Sequence, residues 1–465
     1  MPHHGPAGHQ RHEHPPIDRV TPRALVVWGV ALLAYVLAVA ARSSLSATGV
    51  EAAERFGTTS AALSSFAVLQ LVVYAGLQVP VGSFLDRFGA RLSLTVGCVL
   101  LGVGQLILGL ADTVPGAVAA RVLVGSGDAF VFIPAVRLLP AWFPPRTVPV
   151  ATQVTGLVGQ VGQLLSLGPF VALVALHGWT AAFASAGSVT LLAAVLVVLV
   201  VRDARPLSVD VDLTGPAERP GCDPGGADHP DTDTAPPVLR DAVVTPTPDA
   251  PSLLRALLAP GTRAGFWLHF VSAMPAYTFV LLWGFPYMTR AEGLPEDTAL
   301  SILSVYVASF VVVSPVVGLL SARWSAHRLQ IVLGAVGVQV AAWAVVLAWP
   351  GHAPGAVLVM LVVVMGVSGP ASLVGLDQAR TTVPLRSQGV ATGMVNAGAF
   401  VANLLAMGVV GVVLDLAGET SPALFTDRGF TLAWLSLAPI LVVGVVMATL
   451  EDRRLRRHLA DLPRT

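Results

Sequence analysis

The chain has 465 residues, 54% of them hydrophobic and 12% charged, with a mean hydropathy of +0.75. A water-soluble domain is about a quarter charged, so that class is excluded and a lipid bilayer is the expected surrounding. The 27 basic residues, all arginine, equal the 27 acidic ones, which leaves no positive surplus to recruit a nucleic acid.

Residues 1–22 are polar and carry His3, His4, His9, His12 and His14. His-rich tracts can hold metal, but the composition is that of a disordered tail, and no metal site is expected. Beyond it the apolar residues come in runs of about 20, the length that crosses a ~30 Å hydrocarbon layer at 1.5 Å per residue. The runs are 24–46, 60–83, 92–112, 115–139, 148–176 and 180–201, then 264–289, 297–321, 328–349, 355–378, 388–416 and 429–450. The N-terminus lacks the short charged-then-apolar pattern of a cleaved signal peptide. Between the two sets of six, residues 203–262 hold eleven prolines and ten acidic residues and cannot form a packed core. Cys98, in an apolar run, and Cys222, in this polar stretch, are not expected to pair.

The expected fold is an all-α membrane protein of twelve transmembrane helices in two halves. A tail (1–22) leads into a six-helix half (23–202). A disordered acidic linker (203–262), with one short helix at 252–258, leads into a second half (263–451) and a basic tail (452–465). Arg87, Arg91, Arg146, Arg202, Arg205, Arg323, Arg328, Arg380 and Arg386 fall in alternate connections; Arg453, Arg454, Arg456 and Arg457 lie in the tail. The other connections carry Glu51, Asp112, Glu292 and Glu419. The positive-inside rule then places both termini in the cytoplasm.

Charged side chains inside a span are costly and by default mark function. Arg42 lies late in the first run; Arg121 and Asp128 lie in the fourth, seven residues and about 10 Å apart along one helical face. Arg42 offers a planar donor fork that matches a carboxylate or oxyanion; the alternative is that it snorkels to the surface. Asp128 is the expected carrier of a proton, and the alternative is a permanent Arg121–Asp128 ion pair. Gln70, Tyr74 and Gln78 make an i, i+4, i+8 stripe on the second run. Gln160 and Gln163 lie in the fifth run, His269, Tyr277 and Trp283 in the seventh, and Asn396 and Asn403 in the eleventh. Amides also glue helices together, but as a set these residues point to a polar cavity. The expected substrate-binding set is Tyr35, Arg42, Gln70, Tyr74, Arg121, Gln160, His269, Tyr277 and Asn396.

Residues 81–94 read VGSFLDRFGARLSL, a short charged turn between two apolar runs. Gly82, Asp86, Arg87, Gly89 and Arg91 resemble motif A of the major facilitator superfamily, with Phe84 and Ala90 at its looser positions. Arg121, Gly125 and Gly127 resemble motif B, whose arginine is implicated in proton movement in proton-linked members. A degraded copy of the first motif follows the eighth run: Gly82 aligns with Gly318 and Arg87 with Arg323, but Asp86 with Ala322. Val-Ala-Thr at 150–152 recurs at 390–392, so the halves repeat in parallel at offsets of 236 and 240 residues.

The resemblance covers about residues 24–450. It implies two halves rocking around a midplane site, with Asp86 capping a helix end as part of a latch. Arg42-Ser-Ser-Leu-Ser is similar to the organic-anion and nitrate-type branches, which implies a small anionic substrate, protons as coupling ion, and a monomer in the inner (plasma) membrane. Gly168-Pro169 resembles the antiporter motif, but Phe170-Val171 stands where Gly-Gly would follow. A multidrug/proton antiporter stays as the alternative, and a non-transporting sensor or scaffold as another. There is no P-loop, HExxH, CxxC or nucleophile elbow, so neither an enzyme nor a cofactor is expected. Because loop length enters closure entropy only logarithmically, deleting residues 210–245 is expected to leave transport intact, measured as uptake per inserted protein; an inserted but inactive truncation would give the linker a role.

Overall fold

Hydrocarbon offers a backbone N–H or C=O no partner outside its own helix, and the described spans are all helical. The structure, a computed structural model, describes residues 19–57, 60–203, 253–384, 387–421 and 424–461. The His-rich tail, Cys222, Arg386 and nearly all of the linker lie outside these residues. Among the described residues, eleven segments are long and apolar enough to cross a membrane.

The longest, Val68–Leu110, has 43 residues. Unbroken, it would run ~65 Å at 1.5 Å per residue, twice the hydrocarbon thickness. Its backbone is interrupted at Gly89 (φ 83°, ψ 173°), a conformation that glycine alone takes without strain. Dividing there gives α2 (60–88) and α3 (90–110) and accounts for the expected twelve. The others are α1 (Pro22–Ala47), α4 (Val114–Trp142), α5 (Pro145–His177), α6 (Trp179–Val200), α7 (Pro260–Ala291), α8 (Glu296–Arg323), α9 (Ser325–Leu347), α10 (Gly355–Thr382), α11 (Gln388–Leu416) and α12 (Asp427–Ala460).

Two short helices flank the spans. Leu253–Leu258 leads into α7, where the sequence predicts one. Gly49–Phe56 follows α1 and went unseen, because Glu51, Glu54 and Arg55 break its apolar run. Proline widens two spans locally: α5 has a π-turn at Ser166–Phe170 around Pro169, and α7 has π-turns at Phe279–Trp283 and Tyr287–Ala291, downstream of Pro275 and Pro286.

Between the halves, the α2–α3 segment packs on α11, and α5 packs on α8. Both seams rest on glycine. A Cβ at Gly82 would collide with the Gly389 carbonyl and lie 2.8 Å from Val390 Cα; one at Gly318 would lie 3.4 Å from the Pro149 oxygen and 3.0 Å from Val150 Cα. Gly389 and Pro149, like Val390 and Val150, are 240 residues apart. The parallel repeat is thus present atom by atom at both seams. They close the face that carries the Gly89 turn, called the sealed face below.

Gly389 in turn has Gly82 O and the Asp86 carboxylate where its Cβ would be, at 2.5 and 2.7 Å. Neither backbone nor a capping carboxylate can yield, so Gly389→Leu is expected to hold the α2–α11 seam apart. A cysteine replacing the fully buried Gln78 should then react faster with a membrane-impermeant maleimide added to the sealed face than in the Gly389 parent; equal rates would refute the steric argument.

Candidate functional site

Arg121, on α4, is 1% exposed, so its charge must be met inside the bundle. Its Nη1 donates to Ala41 O at 3.4 Å and its Nη2 to Arg42 O at 2.8 Å, both backbone carbonyls of α1, and Nη2 also donates to Gln70 Oε1 of α2. One guanidinium thereby ties three helices. Close approach is possible because Gly125, one turn on, lies against the Gln70 backbone.

Asp128 is likewise 1% exposed, and its Oδ2 sits 3.4 Å from Arg42 Nη1. The ion pair therefore joins α1 to α4, and the Arg121–Asp128 pair considered from sequence is not the arrangement found. Helical phase puts Arg121 and Asp128 on one face, but two turns of separation leave Asp128 level with Arg42 of the neighbouring helix. Arg42 is the accessible member of the three, its side chain 24% exposed. Its guanidinium lies 5.7 Å from the Tyr74 ring centroid, a cation–π distance, and Tyr35 and Tyr277 complete its surroundings.

The second half faces this charged cluster with neutral groups. Asn396 Nδ2 of α11 donates to Tyr74 OH at 3.0 Å and to Gln78 Oε1 at 2.8 Å, so the α2 stripe reaches across the seam. His269 Nδ1 of α7 lies 2.6 Å from Ser372 O of α10. A carbonyl only accepts, so Nδ1 carries the proton there, and the rest of the ring faces Asn396. Gln160 is half-buried on α5, beside Gly159, whose backbone takes the Tyr35 ring. Tyr35, Arg42, Tyr74, Asp128, Tyr277, His269 and Asn396 thus meet between the halves, with Gln70 and Arg121 behind them as support.

The turn at Gly89 sits apart, on the sealed face. Asp86 accepts from the Gly389 and Val390 amides at 2.7 and 2.9 Å, capping the start of α11. Asp203 accepts from the Ala90 amide at 2.6 Å and caps α3 in the same way. Arg91 donates to Val198 O at 2.6 Å, and Arg87 lies over the Phe88 ring. Arg137 of α4 lies within electrostatic reach of both carboxylates.

A second buried polar cluster was not foreseen. Asp377 accepts from Ser321 Oγ at 2.9 Å and pairs with Arg380. Arg380 donates across the α5–α8 side to Thr152 Oγ1 at 2.9 Å, and Arg328 donates to Thr381 Oγ1 at 2.6 Å. Asp377 lies at the end of the 355–378 run, where it passes for the run's polar termination, and Arg380 follows it and reads as loop. Their i, i+3 spacing, opposite Arg137 in the repeat, was the available signal.

The sequence profile of the Major Facilitator Superfamily matches residues 31–407. The chain belongs to the Major Facilitator Superfamily. Over 174 residues it is 28% identical to the probable sulfoacetate transporter of Cupriavidus necator, covering 37% of this chain and 40% of that one. Over 149 residues it is 29% identical to the oxalate:formate antiporter of Oxalobacter formigenes, covering 32% and 35%. Over 114 residues it is 28% identical to a nitrate/nitrite transporter of a Picosynechococcus strain, covering 24% and 21%. The matched stretches thus span less than half of these relatives. The fold is that of the proton:xylose symporter XylE (TM-score 0.62, 16% identity, 94% of this chain and 95% of that one). It is also that of a bacterial homologue of the lysosomal transporter Spinster (0.54, 16%, 94% and 99%).

Arg121→Gln removes the donors that hold two α1 carbonyls and leaves them buried. Each acceptor left buried without its donor costs about 1–3 kcal/mol. The purified variant is expected to unfold at a clearly lower temperature, whereas the double variant Arg42→Gln/Asp128→Asn, which removes the ion pair without stranding a buried charge, should shift the midpoint little. Equal shifts would contradict this division of labour.

Proposed function

We propose that the protein is a secondary transporter that moves a small anion together with a proton by alternating access, with both termini in the cytoplasm of a cell with this plasma-membrane carrier. The observation that carries the reading is the pairing of a partly exposed Arg42 with a buried Asp128. A proton on Asp128 removes the charge that occupies Arg42, which frees the guanidinium fork for a carboxylate or oxyanion. Release of the anion lets Asp128 return its proton and re-pair. Proton and substrate therefore act on the same arginine, one by vacating it and one by occupying it.

Tyr35, Tyr74, Tyr277, His269 and Asn396 would orient the rest of the solute through neutral hydrogen bonds. The anion transporters among the relatives support a negative substrate, and the proton symporter among the structural neighbours supports the coupling ion. The charge inventory disfavours a carrier of cationic drugs, since the accessible ionic group is an arginine. A monomer suffices, because the site lies between the two halves of one chain.

Proteoliposomes with an imposed pH gradient, screened over small carboxylates, nitrate and cationic dyes, test the reading. Asp128→Asn is expected to abolish gradient-driven accumulation while keeping downhill anion exchange. The freed Arg42 can turn toward water, so a general loss through misfolding is not expected. Arg42→Lys keeps the charge but loses the planar fork and should weaken anion uptake by roughly tenfold, the value of one charge-assisted hydrogen bond. Accumulation by Asp128→Asn together with normal uptake by Arg42→Lys would overturn both assignments, and dye extrusion by the parent would favour the efflux alternative.

A further inference from the structure

The two seams of the sealed face are covered differently. Beside the α2–α11 seam, the short helix Leu253–Leu258 packs on α7 and α11. It is tied down by Thr262 Oγ1, which donates to Ala256 O at 2.8 Å, and Ala256 is buried. At the 240-residue offset that pairs Arg23 with Arg263, residues 253–258 align in sequence with residues 13–18. Where 253–258 read LLRALL, residues 13–18 read EHPPID. With two prolines, two acids and none of the four leucines, that sequence does not repeat the apolar pattern of 253–258.

Beside the α5–α8 seam the described residues form an open groove of about 600 Å³. Val20, Leu25 and Trp28 of the α1 end, Phe143, Val150 and Val154 of the α5 side, and Leu319 of α8 give it an apolar floor. Arg146 stands at its edge, exposed, and no carboxylate among the described residues lines it. Arg23, also exposed, lies nearby over the Trp142 ring, 5.7 Å from its centroid. Trp28 and Trp142 mark the depth at which tryptophan favours a membrane interface. An apolar slot with cations at its rim, at headgroup depth, is complementary to a lipid with acyl chains below and a negative charge above.

We infer that this groove is a binding site for one anionic phospholipid of the leaflet on the sealed face, which replaces the cover that the chain's own segment gives the other seam. Leu319 belongs to the second half and the other lining residues to the first, next to the contact of Gly318 with Val150. The site is complete only while that seam is shut, so the lipid favours the sealed state.

Native mass spectrometry of the purified full-length protein, titrated with phosphatidylglycerol or with phosphatidylcholine of the same chains, reads the binding. Phosphatidylglycerol is expected to be retained in preference. Arg146→Gln and Arg23→Gln should each lower its retention by roughly fivefold, the effect of one arginine near an anionic surface, without changing that of phosphatidylcholine. Val154→Trp, which fills the apolar floor, should lower retention of both. Spin labels at Pro145 and Ser325, both exposed and outside the groove lining, should shift toward the shorter distance in phosphatidylglycerol vesicles relative to phosphatidylcholine ones. Undiminished retention in the double arginine variant, or an unchanged distance distribution, would overturn the proposal. So would phosphatidylglycerol binding that rises on deletion of residues 1–18, which would make the tail the occupant.

Discussion

A guanidinium that cannot reach water dictates how the first half is assembled. Inside hydrocarbon the Arg121 charge is tolerated only if oxygen atoms surround it, and the bundle supplies them from the backbone of α1 and from Gln70 of α2. The same contact fixes where Arg42 stands, because its own carbonyl is one of the acceptors. With its backbone held by Arg121, Arg42 points its side chain at Asp128 and the tyrosines. The site thus has one fully buried charge held by backbone and a second, partly exposed one paired with Asp128, and motif B supplies the first.

The second half contributes no charge at this level among the groups that face Arg42. Its histidine is committed to a carbonyl, and its asparagine bridges to Tyr74 and Gln78. A parallel repeat therefore need not have equivalent halves: here one carries the ionic groups and the other neutral ones. The repeat survives where packing demands it, at the glycines of the two seams, and diverges between them.

The fold was legible because the bilayer makes hydropathy almost a structural ruler; span number, short linker helix and repeat all follow from run length and motif spacing. Boundaries were less legible where proline reshapes a helix, as at Pro169 and Pro275, or where an amphipathic segment such as Gly49–Phe56 has no apolar run to announce it. Within the site, intramembrane charge singled out Arg42, Arg121 and Asp128, yet not their pairing. Phase along α4 made Arg121 and Asp128 neighbours on paper, while the true partner came from α1, and contacts between helices leave no periodic trace in a sequence. Asp377 and Arg380 were missed for a related reason, since polar residues at the end of an apolar run look like its termination.

The asymmetry of the two seams extends to the atoms that part when the sealed face opens. At the α2–α11 seam, separation uncovers the Asp86 carboxylate and the two amides it caps, which water solvates well. At the α5–α8 seam Ala322 stands where Asp86 does and Pro149 where Gly389 does, so that cap has no counterpart. Separation there instead parts the Arg380 guanidinium from Thr152 and the Gln153 side chain from Gly318. One hinge of the door is thus latched by an anion that the first half sends across, and the other by a cation that the second half sends back.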